Sequence, residues 1–485
     1  MIRRVLGACI GLVVAGAWAC GSSETPTRPH GEDPPVEEPT TDPDAGEPPD
    51  AGLPDAGEPP DAGPLPDAGE PPDAGPPPVD PAGPWPQDPV LNYTDRYGLD
   101  HVQSLTVDAA HNIWLLAGSR IGMLSADTKK VVWTQNVGQA GKGYTSTVIC
   151  GGAAGQAYVG YRAGDDIPGG NRIASEGEPG YDPANWNYYQ QGDMDVVQWD
   201  ALQGAVTLQE HLYQSMGSSR PTGNAPLGIH NSNDYHYDED RSIYSCARVM
   251  RGPYAGEVYI GTNHGVTRIR GLTYSSHRHP VFWVKKDDGS WSQRTGLTYG
   301  LGIGQDGAVL IGNDWKIGII VPNPDMALWH FEDKGAFYTL NTFVEPVNGG
   351  DDTYRSGEVP FAFWRAFEQT KDGAYYVGSH TEGLFRLDTQ RRQQSNGAYT
   401  LKVQATTRVE DLGSRSINAL AATDDGSLFV GTDGDGLWRI KPDRTLEKVS
   451  GVKGGGIQQL LYDPTVTPSM LFVRVNSKVY VLRGY

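Results

Sequence analysis

Residues Ile417 to Asp443, INALAATDDGSLFVGTDGDGLWRIKPD, decide the fold. Positions 417–422 and 428–432 are apolar-rich runs of strand length, and Asp424-Asp425-Gly426 between them is a tight-turn cluster. Asp433-Gly434-Asp435-Gly436 turns the chain again into a third run, Leu437 to Ile440. Three short strands cannot stand alone, because their apolar faces need covering. The chain supplies that cover by repeating the unit.

Aligned on an apolar-apolar-Gly ending, the same strand–turn–strand pattern occupies 102–118, 145–160, 246–261, 297–312, 364–378 and 417–431. A seventh copy at 457–473 lacks the glycine and leads into a strand from Lys478 to Leu482. The glycines at 118, 160, 261, 312, 378 and 431 are 42, 101, 51, 66 and 53 residues apart. Units of this length with several short strands predict an all-β fold, a seven-bladed β-propeller over residues 90–485. No 3.6-residue period supports a helical array. The last unit ends without an outer strand, and residues 90–94 have no partner, so they are predicted to complete it and close the ring.

The units resemble the repeat of two-component-regulator propellers. The matching residues are Tyr93-Thr94, Gly98-Leu99, Asp108, Asn112-Ile113-Trp114, Phe429-Val430-Gly431-Thr432, Gly436-Leu437-Trp438-Arg439 and Gly383-Leu384-Phe385-Arg386. That resemblance implies a propeller and a sensor role, in a family where such domains are usually fused to a membrane-bound histidine kinase. No kinase pattern or membrane span follows the repeats here, which argues against signalling by that route.

Ahead of the repeats, residues 1–19 read as a secretory signal: Arg3 and Arg4, an apolar run from Val5 to Val14, then small residues. Cys20 with Gly21-Ser22-Ser23 resembles a bacterial lipoprotein N-terminus, which implies a diacylglycerol on Cys20 and an outer-membrane anchor. Ala17-Trp18-Ala19 equally fits an ordinary cleavage site, so secretion is the alternative. Residues 20–89 form a disordered acidic Pro-rich tether built on Pro-Asp-Ala-Gly and Glu-Pro-Pro-Asp-Ala-Gly, where proline removes donors too often for helix or sheet. Of the formal charge of −20, the tether carries −16 and the signal +2, leaving −6 for residues 90–485. No basic run argues for nucleic acid.

Three connections are far longer than the others: Arg162 to Asp193, Met216 to Arg241 and Lys334 to Ala362. Strand alternation places them on one face, and loops of this length in a compact domain tend to carry function. Their aromatic and short polar residues suit a glycan or a protein surface. The ligand-binding candidates are Trp186, Tyr188, Tyr189, His230, Asn233, Asp234, Tyr235, His236, Tyr354 and Arg355, joined by His264 and His380 at the second-hairpin turns of that face. The alternating spacing of His230, Asp234, His236 and Asp238 is compatible with metal ligation, but a solvated polar loop accounts for it better; no metal and no cofactor is expected. Cys150 and Cys246 fall on innermost strands of adjacent units, where a disulfide and two buried thiols are both compatible with the sequence.

The expected function is a lipid-anchored, non-catalytic binding or sensing module for a glycan or an envelope or extracellular protein, touching the membrane through its lipid alone. The alternatives are a propeller hydrolase or lyase with its site on the same face, and a structural component of an envelope assembly.

Overall fold

The chain divides into two units, Met1–Pro71 and Pro72–Tyr485. The computed structural model describes residues 90–128, 131–162, 194–212, 242–252, 254–262, 265–278, 282–285, 291–294, 298–305, 307–313, 317–321, 336–340, 353–355, 363–393 and 399–485, all in the second unit. Residues 1–19 and 20–89, expected from sequence as signal and tether, lie outside these residues.

The described chain is a β-propeller. Seven sheets have four strands each, ordered as antiparallel meanders from the inside outward. Their inner strands are Ser104–Val107, Ser146–Gly151, Ile243–Arg248, Gly300–Ile303, Trp364–Gln369, Ile417–Ala422 and Ile457–Asp463. Each inner strand touches the next, and the seventh touches the first, which closes a circle around a central channel. The opening stretch folds as its pattern dictates, with strands Ile417–Ala422, Leu428–Thr432 and Leu437–Ile440, and a short outer strand Leu446–Lys448 added.

The apolar faces are covered by neighbouring sheets. Phe429 and Leu437 of the sixth sheet share a cluster with Ile457, Leu471 and Val473 of the seventh, while Leu105 and Leu115 of the first share one with Phe472 and Val479 of the seventh. Trp114 and Leu116 of the first sheet pack with Ile149 and Val159 of the second. Burial of this kind, worth about 25 cal/mol per Å² of apolar area, holds the disc together sheet by sheet.

Close approach between sheets explains the repeated glycine. A Cβ on Gly431 would stand 2.6 Å from Ile457 Cγ2 of the next sheet, and one on Gly378 would stand 2.6 Å from Ile417 Cγ2. Gly118 is not part of this set. It is a turn residue with φ +61 and nothing within 4 Å of its would-be Cβ, and Leu116, paired with Ser104, holds the position that Gly160, paired with Val148, holds in the second sheet.

Closure follows the expected route over a shorter segment. Val90–Asn92 pairs antiparallel with Lys478–Arg483, Val90 opposite Leu482 and Asn92 opposite Tyr480. Tyr93 and Thr94 are not strand: Asn92 accepts the Asp95 N–H at 3.1 Å and caps a one-turn helix, Tyr93–Tyr97. Tyr93 is fully buried in the core between the seventh and first sheets, and Thr94 Oγ1 accepts the Val479 N–H at 2.8 Å.

The connection expected from Lys334 to Ala362 is shorter than its sequence suggested. Residues Ala336–Leu340 are the outer strand of the fourth sheet, paired with Ile317–Val321. Thr353–Arg355 pairs in parallel with Phe282–Lys285, which also forms a hairpin with Trp291–Arg294. This extra three-stranded sheet was not expected, because its strands are short and its parallel partners lie some seventy residues apart.

Candidate functional site

The family-like motif residues are scaffold. Asp425 caps the first turn of its sheet by accepting the Ser427 N–H at 2.9 Å and the Thr423 hydroxyl at 2.7 Å, and Arg439 of the Gly-Leu-Trp-Arg run pairs with it. Asp372 and Arg386 repeat the pair at 3.0 Å, and Glu257 and Arg268 form a buried two-point version at 2.8 Å. These hydrogen bonds hold the Asp425 and Asp372 carboxyls below the usual range, against the burial that opposes them. Asp108 accepts the Trp114 indole N–H at 2.9 Å and, from the second sheet, the Gly155 N–H at 2.9 Å. The Asp433–Gly436 run is a hairpin turn whose Asp435 accepts from the Trp438 indole and Lys448.

The concave feature is the central channel, a cavity of about 890 Å³ lined by all seven inner strands. One end of it is built from β-bulges. In five sheets the inner strand's register shifts by one residue just after its start, leaving Thr147, Tyr244, Arg365, Asn418 and Gln458 without a ladder partner. Tyr299 and Gln103, immediately before Gly300 and Ser104, take the same place in the other two sheets. All of these positions line the channel. A bulge re-aims a side chain out of the pleat, and here it does so at equivalent places around a circle.

The ring has an aromatic arc. Tyr244 and Tyr299 meet edge-to-face at 5.7 Å, and Tyr299 meets Phe363 the same way at 5.8 Å. Arg365 comes next around the circle. Its guanidinium makes no hydrogen bond or ion pair among the described residues; burial pulls its pKa down, with Tyr299 and Asp433 opposing through space. Beyond it, Asn418 donates to the Ile457 carbonyl at 3.1 Å, and Gln458 donates to Asn476 Oδ1 at 3.2 Å. Gln459 clamps the closure from the neighbouring position, donating to the Leu105 carbonyl at 2.7 Å and accepting the Leu105 N–H at 3.0 Å.

Among the candidates named from sequence, His380 is the one whose described side chain reaches this end. Its Nδ1 is 2.8 Å from Ser416 Oγ and its backbone N–H donates to the Phe363 carbonyl at 3.1 Å. Burial first, then the Arg365 charge, hold its pKa below the ordinary histidine value, so it is neutral at pH 7. Tyr354 and Arg355 lie on the extra sheet, opposite Val284 and Lys285. Trp186, Tyr188, Tyr189, His230, Asn233, Asp234, Tyr235, His236 and His264 lie outside the described residues. The described residues that flank the long connections do share one end: Tyr161 pairs with Ser146, Leu212 with Met194, and Leu340 with Ile317, all at the level where inner strands begin.

The opposite end of the channel is different. Arg251 pairs with Asp424 at 2.6 Å, and Arg248 donates to Met250 Sδ at 3.2 Å. Glu368, which accepts the Ala422 and Gln369 N–H groups, has its pKa pushed up to about 8 by burial. Cys150 and Cys246 both line the channel as free thiols, not a disulfide. Burial, then a hydrogen bond with Cys150, keeps the Cys246 thiol well above its usual pKa. No group of three or more metal-ligating side chains is found among the described residues, and no described helix is long and apolar enough to cross a membrane.

The ring was missed in the sequence because no motif marks it. Its only signal is positional: in five of the seven inner strands the residue stands between an apolar or β-branched position and a small one, as in Ile243-Tyr244-Ser245 and Trp364-Arg365-Ala366. No protein family's sequence pattern matches the chain, and no curated protein matches it. Among solved structures, the chain is similar to virginiamycin B lyase from Staphylococcus aureus, with 11% identity over 81% of this chain and 98% of that one and a TM-score of 0.43. It is also similar to a chain of the Mitotic Checkpoint Complex, with 9% identity, coverage of 82% and 91%, and a TM-score of 0.45. A third similarity is to the Myceliophteria thermophila Cps50 (Swd1) β-propeller domain, with 11% identity, coverage of 79% and 96%, and a TM-score of 0.43.

Proposed function

We propose that this protein is an exported, lipid-anchored propeller of seven blades that binds a glycan or an envelope or extracellular protein without catalysing its turnover. In this reading Cys20 carries the lipid, residues 21–89 are the spacer, and the channel end that carries the bulge ring is the binding end. The observation that supports it is that ring. Side chains at the ring positions, two tyrosines, an arginine and several amides among them, surround one cavity mouth, and convergent polar groups beside aromatic faces suit recognition. The flanks of all three long connections lie at the same end, where longer segments would add contacts.

A screen of the full mature chain against immobilised glycans and envelope extracts tests this, with Tyr244→Ala/Tyr299→Ala as the comparison. Binding lost in the double variant, with an unchanged melting curve, is expected; binding unaffected by it would move the site elsewhere. Membrane fractionation with Cys20→Ser tests the anchor, which requires the variant to leave the membrane. The alternative of a hydrolase or lyase is favoured by one observation, a channel carboxyl held protonated near neutrality. Turnover that vanishes in Glu368→Gln while binding persists would establish it.

A further inference from the structure

The basic and carboxylic side chains that line the channel are Arg248, Arg251, Arg365, Arg474 and Glu368. This is a cationic interior in a chain of net charge −20, whose residues 90–485 alone carry −6. Among the described residues, Arg251 alone of these arginines has a carboxylate partner. Arg248 donates to a thioether, Arg474 donates to the Asn476 carbonyl at 2.8 Å, and Arg365 has no partner among the described residues. Arg474 takes, opposite Gln459, the place that Gly431 takes opposite Ala419, so a cation fills a position that five of the other sheets keep as glycine for packing. Half-buried arginines that lack a contacting carboxylate are costly to retain, and an arriving anion repays that cost.

Position narrows the anion's chemistry. Arg365 lies between the Tyr244–Tyr299–Phe363 arc on one side and Asn418 and Gln458 on the other. A guanidinium fork matches a carboxylate in two-point fashion. A tyrosine face covers the apolar face of a sugar ring, and side-chain amides exchange hydrogen bonds with hydroxyls. From the Arg365 level to the Arg248 level is about four residues of strand, roughly 13 Å, which leaves room for more than one anionic group along the axis.

Resting on the proposed binding role, we infer that the channel takes an acidic oligosaccharide, with Arg365 holding a sugar carboxylate and Tyr244 and Tyr299 stacking its ring. The test is calorimetric titration of the full mature chain with a short oligogalacturonate, a neutral maltooligosaccharide and a polyglutamate peptide. The oligogalacturonate is expected to bind, more weakly as salt rises, and the other two are not. Arg365→Gln should weaken it about ten- to a hundredfold, the worth of a charged hydrogen bond. Arg365→Lys should recover only part of that loss, because the charge returns without the fork. Tyr299→Ala should weaken saccharide binding, with the fold checked by an unchanged melting curve. Equal binding of the neutral saccharide, or an unchanged affinity in Arg365→Gln, overturns the acidic specificity while the binding role stands. Polyglutamate binding in place of the saccharide assigns the channel to acidic peptides and overturns the inference. No binding by any probe overturns it too, and an empty glycan and protein screen beside it would end the broader reading.

Discussion

Removing residues 90–95 tests the closure of the disc. The deletion takes away a three-residue ladder against Leu482, Val481 and Tyr480, and it leaves the edge of the Lys478–Arg483 strand unpaired. It also removes Tyr93, fully buried against Phe472 with ring centroids 6.5 Å apart, and the Thr94 hydroxyl that accepts the Val479 N–H. Loss of one buried aromatic costs about 3–5 kcal/mol, and an orphaned buried N–H adds about 1–3 kcal/mol. Unfolding entropy near 2.1 cal/mol/K per residue gives a propeller of this size about 0.8 kcal/mol/K, so the melting temperature should fall by roughly 5–10 °C. Differential scanning calorimetry reads this, and light scattering reads the association that an exposed edge invites. A deletion that melts with the parent would show that the first strand is ornament and that the circle is closed by the Gln459–Leu105 clamp alone.

Further outcomes follow from particular contacts. Gly431→Ala should lower stability by about 1–3 kcal/mol, because its methyl meets Ile457 at 2.6 Å, and a denaturant melt should show it while Gly118→Ala is governed by φ instead. Glu368 has a folded pKa of about 8 against an unfolded value of 4.5, so its contribution is complete below pH 4.5 and is lost as pH rises through 8. The loss is at most about 5 kcal/mol, less whatever channel water screens, and Glu368→Gln should flatten the fall in melting temperature between pH 6 and pH 9. Thiol titration without reductant should find both Cys150 and Cys246 reactive on unfolding, with Cys246 slow in the native state because burial disfavours its thiolate. A single missing thiol pair would mean that the two cysteines are bridged.

The architecture was legible because propeller packing writes itself into spacing. A glycine such as Gly431 is demanded by the approach of Ile457, and an aspartate such as Asp425 by its turn, so both recur at blade intervals. Closure was legible from a count: the last unit lacked a strand and residues 90–94 lacked a partner. What stayed hidden was set by register and long-range pairing. A one-residue bulge at Arg365 or Tyr244 leaves no compositional trace. The parallel pairing of Trp283 with Thr353 has no local pattern either. Gly118 misled for a related reason, since a turn glycine and a packing glycine read alike until pairing separates them.

The bulge ring also bears on how this protein could be altered. Thr147, Tyr244, Arg365, Asn418 and Gln458 are unpaired in their ladders, so their side chains can change without a register slip in the strand behind them. These five positions therefore set the character of one opening, with Tyr244 coupled to Tyr299 through their ring contact, while Gly431, Asp425 and Arg439 hold the frame that presents them. A library that varies Thr147, Tyr244, Arg365, Asn418 and Gln458 together should keep folding while its ligand preference shifts, which makes the disc a scaffold for selecting new binders.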